Sequence, residues 1–278
     1  MDKIFGVFKY KEIPIFINNG NEGKILISTK FYFNGTDSES MGVYLIRTQN
    51  NMISLPFVPA REIKEEYPTN ARQPYHFAVQ NQCPTIVMTF STLTNNMDAD
   101  TLKDIATWLL ADEYREFYSE DNSDKIYYLM ATGETNFITN ANNEGYIEVR
   151  YRSKFPYALT TASTPTFTIN GTGSFSIDCE CNAFEHYFPE VEITVSTTPT
   201  TVTFTNTTDS NRFTSIGGLT VGEVVYLNNN KKQMISSLSN YLYDDFNKNW
   251  IRLLYGTNTF DVVGRCTITF RVQYPVFT

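Results

Sequence analysis

Between Arg265 and Tyr274 the chain alternates without a break. Cys266, Ile268, Phe270, Val272 and Tyr274 fall on one side, and Arg265, Thr267, Thr269, Arg271 and Gln273 on the other. Successive side chains of a strand point to opposite faces, so this segment reads as a strand with one face in a core and one in water. A helix would scatter the same apolar positions around its axis. Shorter stretches of the same kind fill the second half of the chain: Phe167 and Ile169, Phe175 to Cys181, Val191-Glu192-Ile193-Thr194-Val195, Val202 and Phe204, a short strand within 219–227, and Ile251, Leu253 and Tyr255 ahead of Gly256. Asn170-Gly171-Thr172-Gly173 and Gly217-Gly218 read as turns between them. Short strands at this spacing argue for an antiparallel β-sandwich. No internal repeat of fixed period is present.

The first half is more mixed. Ile13, Ile15 and Ile17 alternate, as do Ile25, Ile27, Thr29, Phe31 and Phe33, with the turn signal Asn18-Asn19-Gly20-Asn21 between the two sets. Val43 to Ile46 and Met52 to Val58 are short apolar runs, and Pro59 to Pro74 is polar and charged, a long loop or an arm. Ile86 to Phe90 predicts a strand buried on both faces. The one helix follows. Asp98 or Asp100 supplies an N-cap, and Leu102, Ile105, Ala106 and Leu109 form a single apolar stripe, flanked by Trp108 as a core or interface anchor. Ile126 to Ala131 and Tyr146 to Tyr151 are strands around the turn at Asn142 to Gly145. The proline- and threonine-rich segment from Pro156 to Thr168 offers few core residues and reads as a linker, which divides the chain into domains 1–157 and 158–278. The expected fold is mainly β, with an N-terminal β-rich domain carrying one α-helix and a C-terminal antiparallel sandwich.

Composition narrows the function. Aromatic residues make up 15% of the 278 and charged residues only 19%, which favours strands and excludes a disordered chain. The net charge is −8, and neither half holds a basic block, so a nucleic-acid phosphate surface is not expected. An acidic balance suits a protein that nucleic acid passes without sticking. The N-terminus has no apolar h-region and no run approaches a membrane span, so the expectation is a protein made in a reducing cytoplasm, not in a membrane. The sequons at Asn34, Asn170 and Asn206 then read as turn chemistry.

A search for chemistry finds little. Cys179 and Cys181 share a strand face with Phe175 and Ile177 and read as small buried hydrophobes, and Cys83 and Cys266 have no ligand partners at metal spacing. His76 sits among aromatics in Pro74-Tyr75-His76-Phe77 and reads as a packed residue; His186 stands beside a strand start. Glu65-Glu66 and Asp244-Asp245 are adjacent carboxylates whose sequence proximity says nothing about catalytic placement. Nucleophile-elbow, zincin and phosphate-loop motifs are missing. The expectation is a non-enzyme with no catalytic, cofactor-binding or metal residues.

The order of these features resembles the distal tail proteins (Dit) of siphophage tails. The carriers are the helix ending in Trp108-Leu109, the Tyr127-Tyr128 strand, the glycine turn, and the strand closing at Phe155-Pro156-Tyr157-Ala158. Gly171 to Cys181, Pro189-Glu190-Val191-Glu192-Ile193, Gly222-Glu223 and Leu253-Leu254-Tyr255-Gly256-Thr257-Asn258 continue the likeness across the second half. The resemblance implies an N-terminal domain that assembles into a hexameric ring at the end of the tail tube. It also implies a galectin-like C-terminal sandwich facing outward as a docking platform. Implied partners are other copies of the chain, the tail tube protein, the tail-associated tip protein, and receptor-binding or other baseplate proteins, with DNA passing through a ring lumen that is not basic. The implied location is the tail tip of the virion. A carbohydrate-binding sandwich used in host adsorption and a tail-tube or joining protein are the other readings. Galectin-type sugar binding is not expected. The His-x-Asn-x-Arg positions after His186 hold Phe188 and Glu190, and Trp250 is followed by Ile251 in place of glycine.

Overall fold

The computed structural model describes residues 29–46, 59–69, 72–92, 98–140, 144–197 and 201–277. The alternations at Ile13 to Ile27, the run at Met52 to Val58 and the residues Asn142-Asn143 lie outside them. Within the described residues the chain is mainly β with one α-helix, as expected.

The first half builds one antiparallel sheet from β1 (Phe31–Phe33), β2 (Thr36–Asp37), β3 (Val43–Ile46), β6 (Thr85–Thr92), β7 (Arg115–Ser119), β8 (Tyr127–Ala131), β9 (Asn136–Thr139) and β10 (Gly145–Ser153), in the order β2-β1-β7-β8-β10-β6-β3 with β9 beside β10. Among the described residues, strands β4 (Arg61–Glu66) and β5 (Tyr75–Asn81) pair only with each other. The sheet buries Phe31, Phe33, Met88, Phe90, Phe117, Leu129, Val149 and Tyr151 against Ile105 and Leu109 of helix α1 (Ala99–Leu109). The Asp98 carboxylate accepts from the Thr101 N–H at 2.8 Å, satisfying one of the free donors at the helix start. At the other end the Tyr151 hydroxyl donates to the Leu109 carbonyl at 3.2 Å. The Trp108 ring stacks on Phe31 while its N–H donates to the Phe33 carbonyl at 3.0 Å, so the indole binds helix to sheet. Between β1 and β2, Asn34 and Gly35 both hold positive φ, 52° and 74°, the tight turn that an Asn-Gly pair favours.

Two expectations are corrected here. β6 is buried on both faces only in its second half, where Thr89 and Ser91 are buried as well as Met88 and Phe90; in its first half Thr85 is exposed and Val87 is 39% exposed. The 156–168 segment is no free linker either. Its residues Ala158–Leu159 form β11, paired with β19 (Pro275–Val276), and Leu159 exchanges backbone hydrogen bonds with Ile126 at 2.7 and 2.8 Å. Its scarcity of apolar residues misled, since backbone pairing does not need them and the few it has, Leu159 and Phe167, pack inward.

The second half is a single sheet of β12 (Thr166–Cys179), β13 (Glu190–Val195), β14 (Val202–Asn206), β15 (Arg212–Ile216), β16 (Val224–Asn228), β17 (Gln233–Ser236) and β18 (Gly256–Arg271). Its order is β15-β14-β18-β13-β16-β17, with β12 along the other edge of β18. One edge of β18 serves β14 through Phe260–Val263 and then β13 through Cys266–Arg271. Gly264 lies at the changeover with φ 152°, opposite Gly171 with φ 99°. There the long pair turns from one layer to the other, and the sheet closes over one core that includes Phe175, Val191, Ile193, Phe204, Phe260 and Phe270. The expected turn at Asn170–Gly173 is therefore overturned: β12 bends there but continues, paired with β18 over all fourteen residues. Ile251, Leu253 and Tyr255 do not form a strand. Ile251 and Leu253 are buried, but Tyr255 is 69% exposed, and the segment makes only the bridge from Leu253 to Tyr187. The Cys266–Tyr274 alternation holds at every apolar position, each at or below 5% exposure.

Candidate assembly surfaces

The polar and charged arm is a two-stranded ribbon. Every residue of β4 is exposed, as is all of β5 except Asn81. Ile63 stands opposite Val79 and Glu66 opposite Tyr75, and the ladder slips between Lys64 and Glu65, leaving Phe77 as an extra residue. Lys64 pairs with Glu62, which also accepts from the Gln82 amide at 2.6 Å. Ile63, Tyr67, Tyr75 and Phe77 are 59–66% exposed. His76 is exposed between Tyr75 and Phe77, which corrects its reading as a packed residue: its aromatic neighbours are not core themselves. Glu65 and Glu66 lie on the same ribbon.

A second apolar surface opens beside helix α1. Ile105, Leu109, Ile147 and Val149 floor a groove of about 220 Å³, and Leu102, Leu110 and Phe137 rim it. Strand β9 is exposed throughout. It lies so close to β10 that a Cβ on Gly145 would fall 2.1 Å from the Ile138 carbonyl oxygen, and only glycine fits there.

The second half puts its polar groups into joints. The Asn258 side chain is fully buried. Its amide donates to the Leu254 and Gly256 carbonyls at 2.7 and 3.0 Å, and its oxygen accepts from the Leu254 N–H at 2.9 Å and the Asn206 amide at 3.2 Å. That loop is the stretch Leu253 to Asn258 that carries part of the resemblance. Glu223, also fully buried, accepts from the Thr220 N–H at 2.7 Å, from the Ser236 hydroxyl and from the Asn240 amide at 3.3 Å, and closes the turn after Gly222. Asp209 and Arg252 form a two-pronged ion pair at 2.7 and 3.0 Å, which holds the Asp209 carboxyl below the usual carboxylate range. Glu223 and Asn258 lie in the stretches Gly222-Glu223 and Leu253 to Asn258 that carry the resemblance, and bond mainly to near neighbours, whereas Asp209 and Arg252 stand far apart in the chain and no local signal marked their pairing.

The sequence-level candidates for chemistry do not converge. Cys179, Cys181 and Cys266 are buried, and burial pushes the Cys179 and Cys266 thiols up to about 11, away from nucleophilic thiolate. Among the described residues no three His, Cys, Asp or Glu side chains gather as a metal set. His186 meets Glu185 at 3.9 Å, and Asp244 and Asp245 face solvent. Trp250 is 8% exposed and packs edge-on to Phe246, as core. No described helix is long and apolar enough to cross a membrane.

Both halves match family models: residues 26–154 a phage tail protein N-terminal domain, and residues 157–272 a phage tail C-terminal domain. The chain belongs to the phage tail proteins and is a component of the virion tail. It is 26% identical over 253 residues to YomH, an SPbeta prophage-derived uncharacterized protein of Bacillus subtilis (strain 168), covering 89% of this chain and 97% of that protein. Its fold is that of the SPP1 Dit (gp 19.1) protein, described as a hub adsorption apparatus protein of phages infecting Gram-positive hosts. The TM-score is 0.62 at 11% identity, covering 88% of this chain and 98% of that one.

Proposed function

We propose that this tail protein is a distal-tail hub: a structural, non-catalytic ring, of six subunits, that joins the tail tube to the tail tip and to receptor-binding proteins. The observation that carries the reading is the pair of apolar surfaces on the first half that no described residue covers, the ribbon and the groove beside α1. A monomeric protein rarely leaves such patches in water unless they meet something. The fold shared with SPP1 Dit supports the hub over other tail positions. In this reading residues 1–157 make the ring and residues 158–278 face outward as a docking platform. The net charge of −8 supports passage of DNA without retention. The buried Trp250 speaks against an indole stacked on sugar as the role of the second half.

Native mass spectrometry with negative-stain microscopy of the purified chain tests the proposal. Single closed rings are expected. Open-ended tubes would assign a tube protein instead, and a chain that stays monomeric at high concentration and in assembled tails would end the hub reading.

A further inference from the structure

We propose that the outer face of β10 binds an acidic, extended segment of a partner protein through Arg150, Arg152 and Lys154. The inference goes beyond the ring reading and does not depend on it. Along β10 the core takes Ile147, Val149 and Tyr151, and Ser153 is buried after them. The residues between them face away from the core, and Arg150, Arg152 and Lys154 are all exposed there. Alternate positions of a strand lie about 6.8 Å apart, so three like charges stand in a row on a chain whose net charge is −8. Among the described residues none of the three makes an ion pair. The Lys154 ammonium lies over the Tyr128 and Phe155 rings, 5.7 and 5.5 Å from their centres. Two carboxylates bound the row: Glu148 precedes it on the same face, and Glu116 accepts from the Tyr128 hydroxyl at 2.8 Å.

The occupant is a foreign acidic segment for three reasons. The first is charge. Like charges side by side on a sheet repel, and the rest of this chain does not supply the opposite sign. Outside the described residues Lys3, Lys9, Lys11, Lys24 and Arg47 outnumber Asp2, Glu12 and Glu22, so those segments are themselves cationic on balance. The second is spacing. Alternate side chains of an extended peptide recur at the same interval as those of β10. Asp or Glu at every second position therefore meets each cation in turn, and a guanidinium fork holds a carboxylate by two hydrogen bonds. The third is the setting. Val87, opposite Arg150 in the sheet, is 39% exposed, and Met130, opposite Arg152, is half-buried. A protein segment has apolar atoms to cover them, whereas a phosphate backbone would leave them in water.

A labelled peptide of alternating glutamate and threonine is the probe, titrated into the full chain and read by fluorescence anisotropy. Saturable binding that weakens with added salt is expected. Arg150→Gln combined with Arg152→Gln is expected to weaken it about tenfold or more. Lys231→Gln combined with Lys232→Gln removes the same charge from an exposed turn of the second half and is expected to leave binding unchanged. All four positions are exposed, so melting and assembly are expected to match the parent protein. An absence of saturable binding would overturn the inference, as would an equal loss in both double variants. A DNA duplex that binds the parent more tightly than the peptide, and loses that binding with Arg150 and Arg152, would assign the face to phosphates instead. Loss of self-assembly in the Arg150 and Arg152 variant would make the occupant another copy of the chain and overturn the foreign partner. The titration needs no ring: its failure leaves the hub reading intact, and a parent protein that never forms rings leaves this inference standing.

Discussion

The two halves of the chain solve the same problem by different means. Each has a sheet with an apolar face to cover. The second half curls its sheet at Gly171 and Gly264, so the far strands cover the near ones and both layers share one core. The first half curls its sheet too, which brings Phe31 of β1 onto Phe90 of β6 and Phe33 onto Tyr151 of β10, but it completes its core with a single helix and leaves a ribbon and a groove that no described residue covers. Apolar residues at strand spacing therefore mean two things in one molecule. In β18 they are internal stability; in β5 they are exposed surface.

The strongest way to break that comparison is a matched pair of truncations. Phe270 is fully buried and touches Phe167, Phe175 and Phe260. Phe270→Ala is expected to cost about 3–5 kcal/mol. Phe77→Ala, on the exposed ribbon, should change monomer stability by no more than about 0.5 kcal/mol. Urea unfolding below the assembly concentration measures both, and equal losses would mean that the ribbon is core. Next in size is Asn258→Ala. It removes the side-chain partner of the Leu254 N–H and of the Leu254 and Gly256 carbonyls, an expected loss of roughly 1–3 kcal/mol. Asn258→Asp keeps the acceptor but loses the donor, and a cost equal to that of alanine would show that the amide hydrogens carry the joint.

Gly264→Ala sharpens the role of the bend. A Cβ there meets Val202 Cγ2 at 3.1 Å, on a backbone that side chains rarely adopt. A loss of about 1–3 kcal/mol is expected, confined to the second half as read by hydrogen exchange in β12 and β18. Exchange loosened equally in β6 and β10 would instead make the two halves one cooperative unit. The smallest effect is that of pH. The Arg252 pair depresses the folded-state pKa of Asp209, so its contribution is fully present above the unfolded carboxylate pKa and is lost as pH falls through the lower, folded value. Acid titration of the melting temperature should show this loss in the parent protein, and Asp209→Asn should flatten it. An unchanged acid slope would remove the pair from the account of stability.

Local patterns carried much of the fold. The Asp98 cap and the Leu102-Ile105-Ala106-Leu109 stripe need only one turn of helix to be seen, and the Cys266–Tyr274 alternation needs only one strand. The failures share a cause. Asn170-Gly171 and Asn34-Gly35 are the same dipeptide, yet one bends a continuous strand and the other closes a turn. The difference is that β18 supplies Asn170 with a hydrogen-bonding partner ninety-odd positions away. Pro156 to Thr168 looked empty because its anchors, Ile126 and Pro275, lie outside it. The assembly surfaces were hidden for the same reason: nothing within Tyr75-His76-Phe77 tells a core strand from an uncovered one.

By itself the sequence determined which segments extend, which one coils, which side of each strand is apolar, and that cationic surface is scarce. Those properties follow from side-chain spacing and charge, which are set within a few residues. The tertiary structure alone decided which apolar faces meet each other and which stay open, where a glycine bends a strand, and which polar side chains lock distant loops. Each of those depends on a partner brought close by the chain's long-range pairing, and burial is a property of the pair.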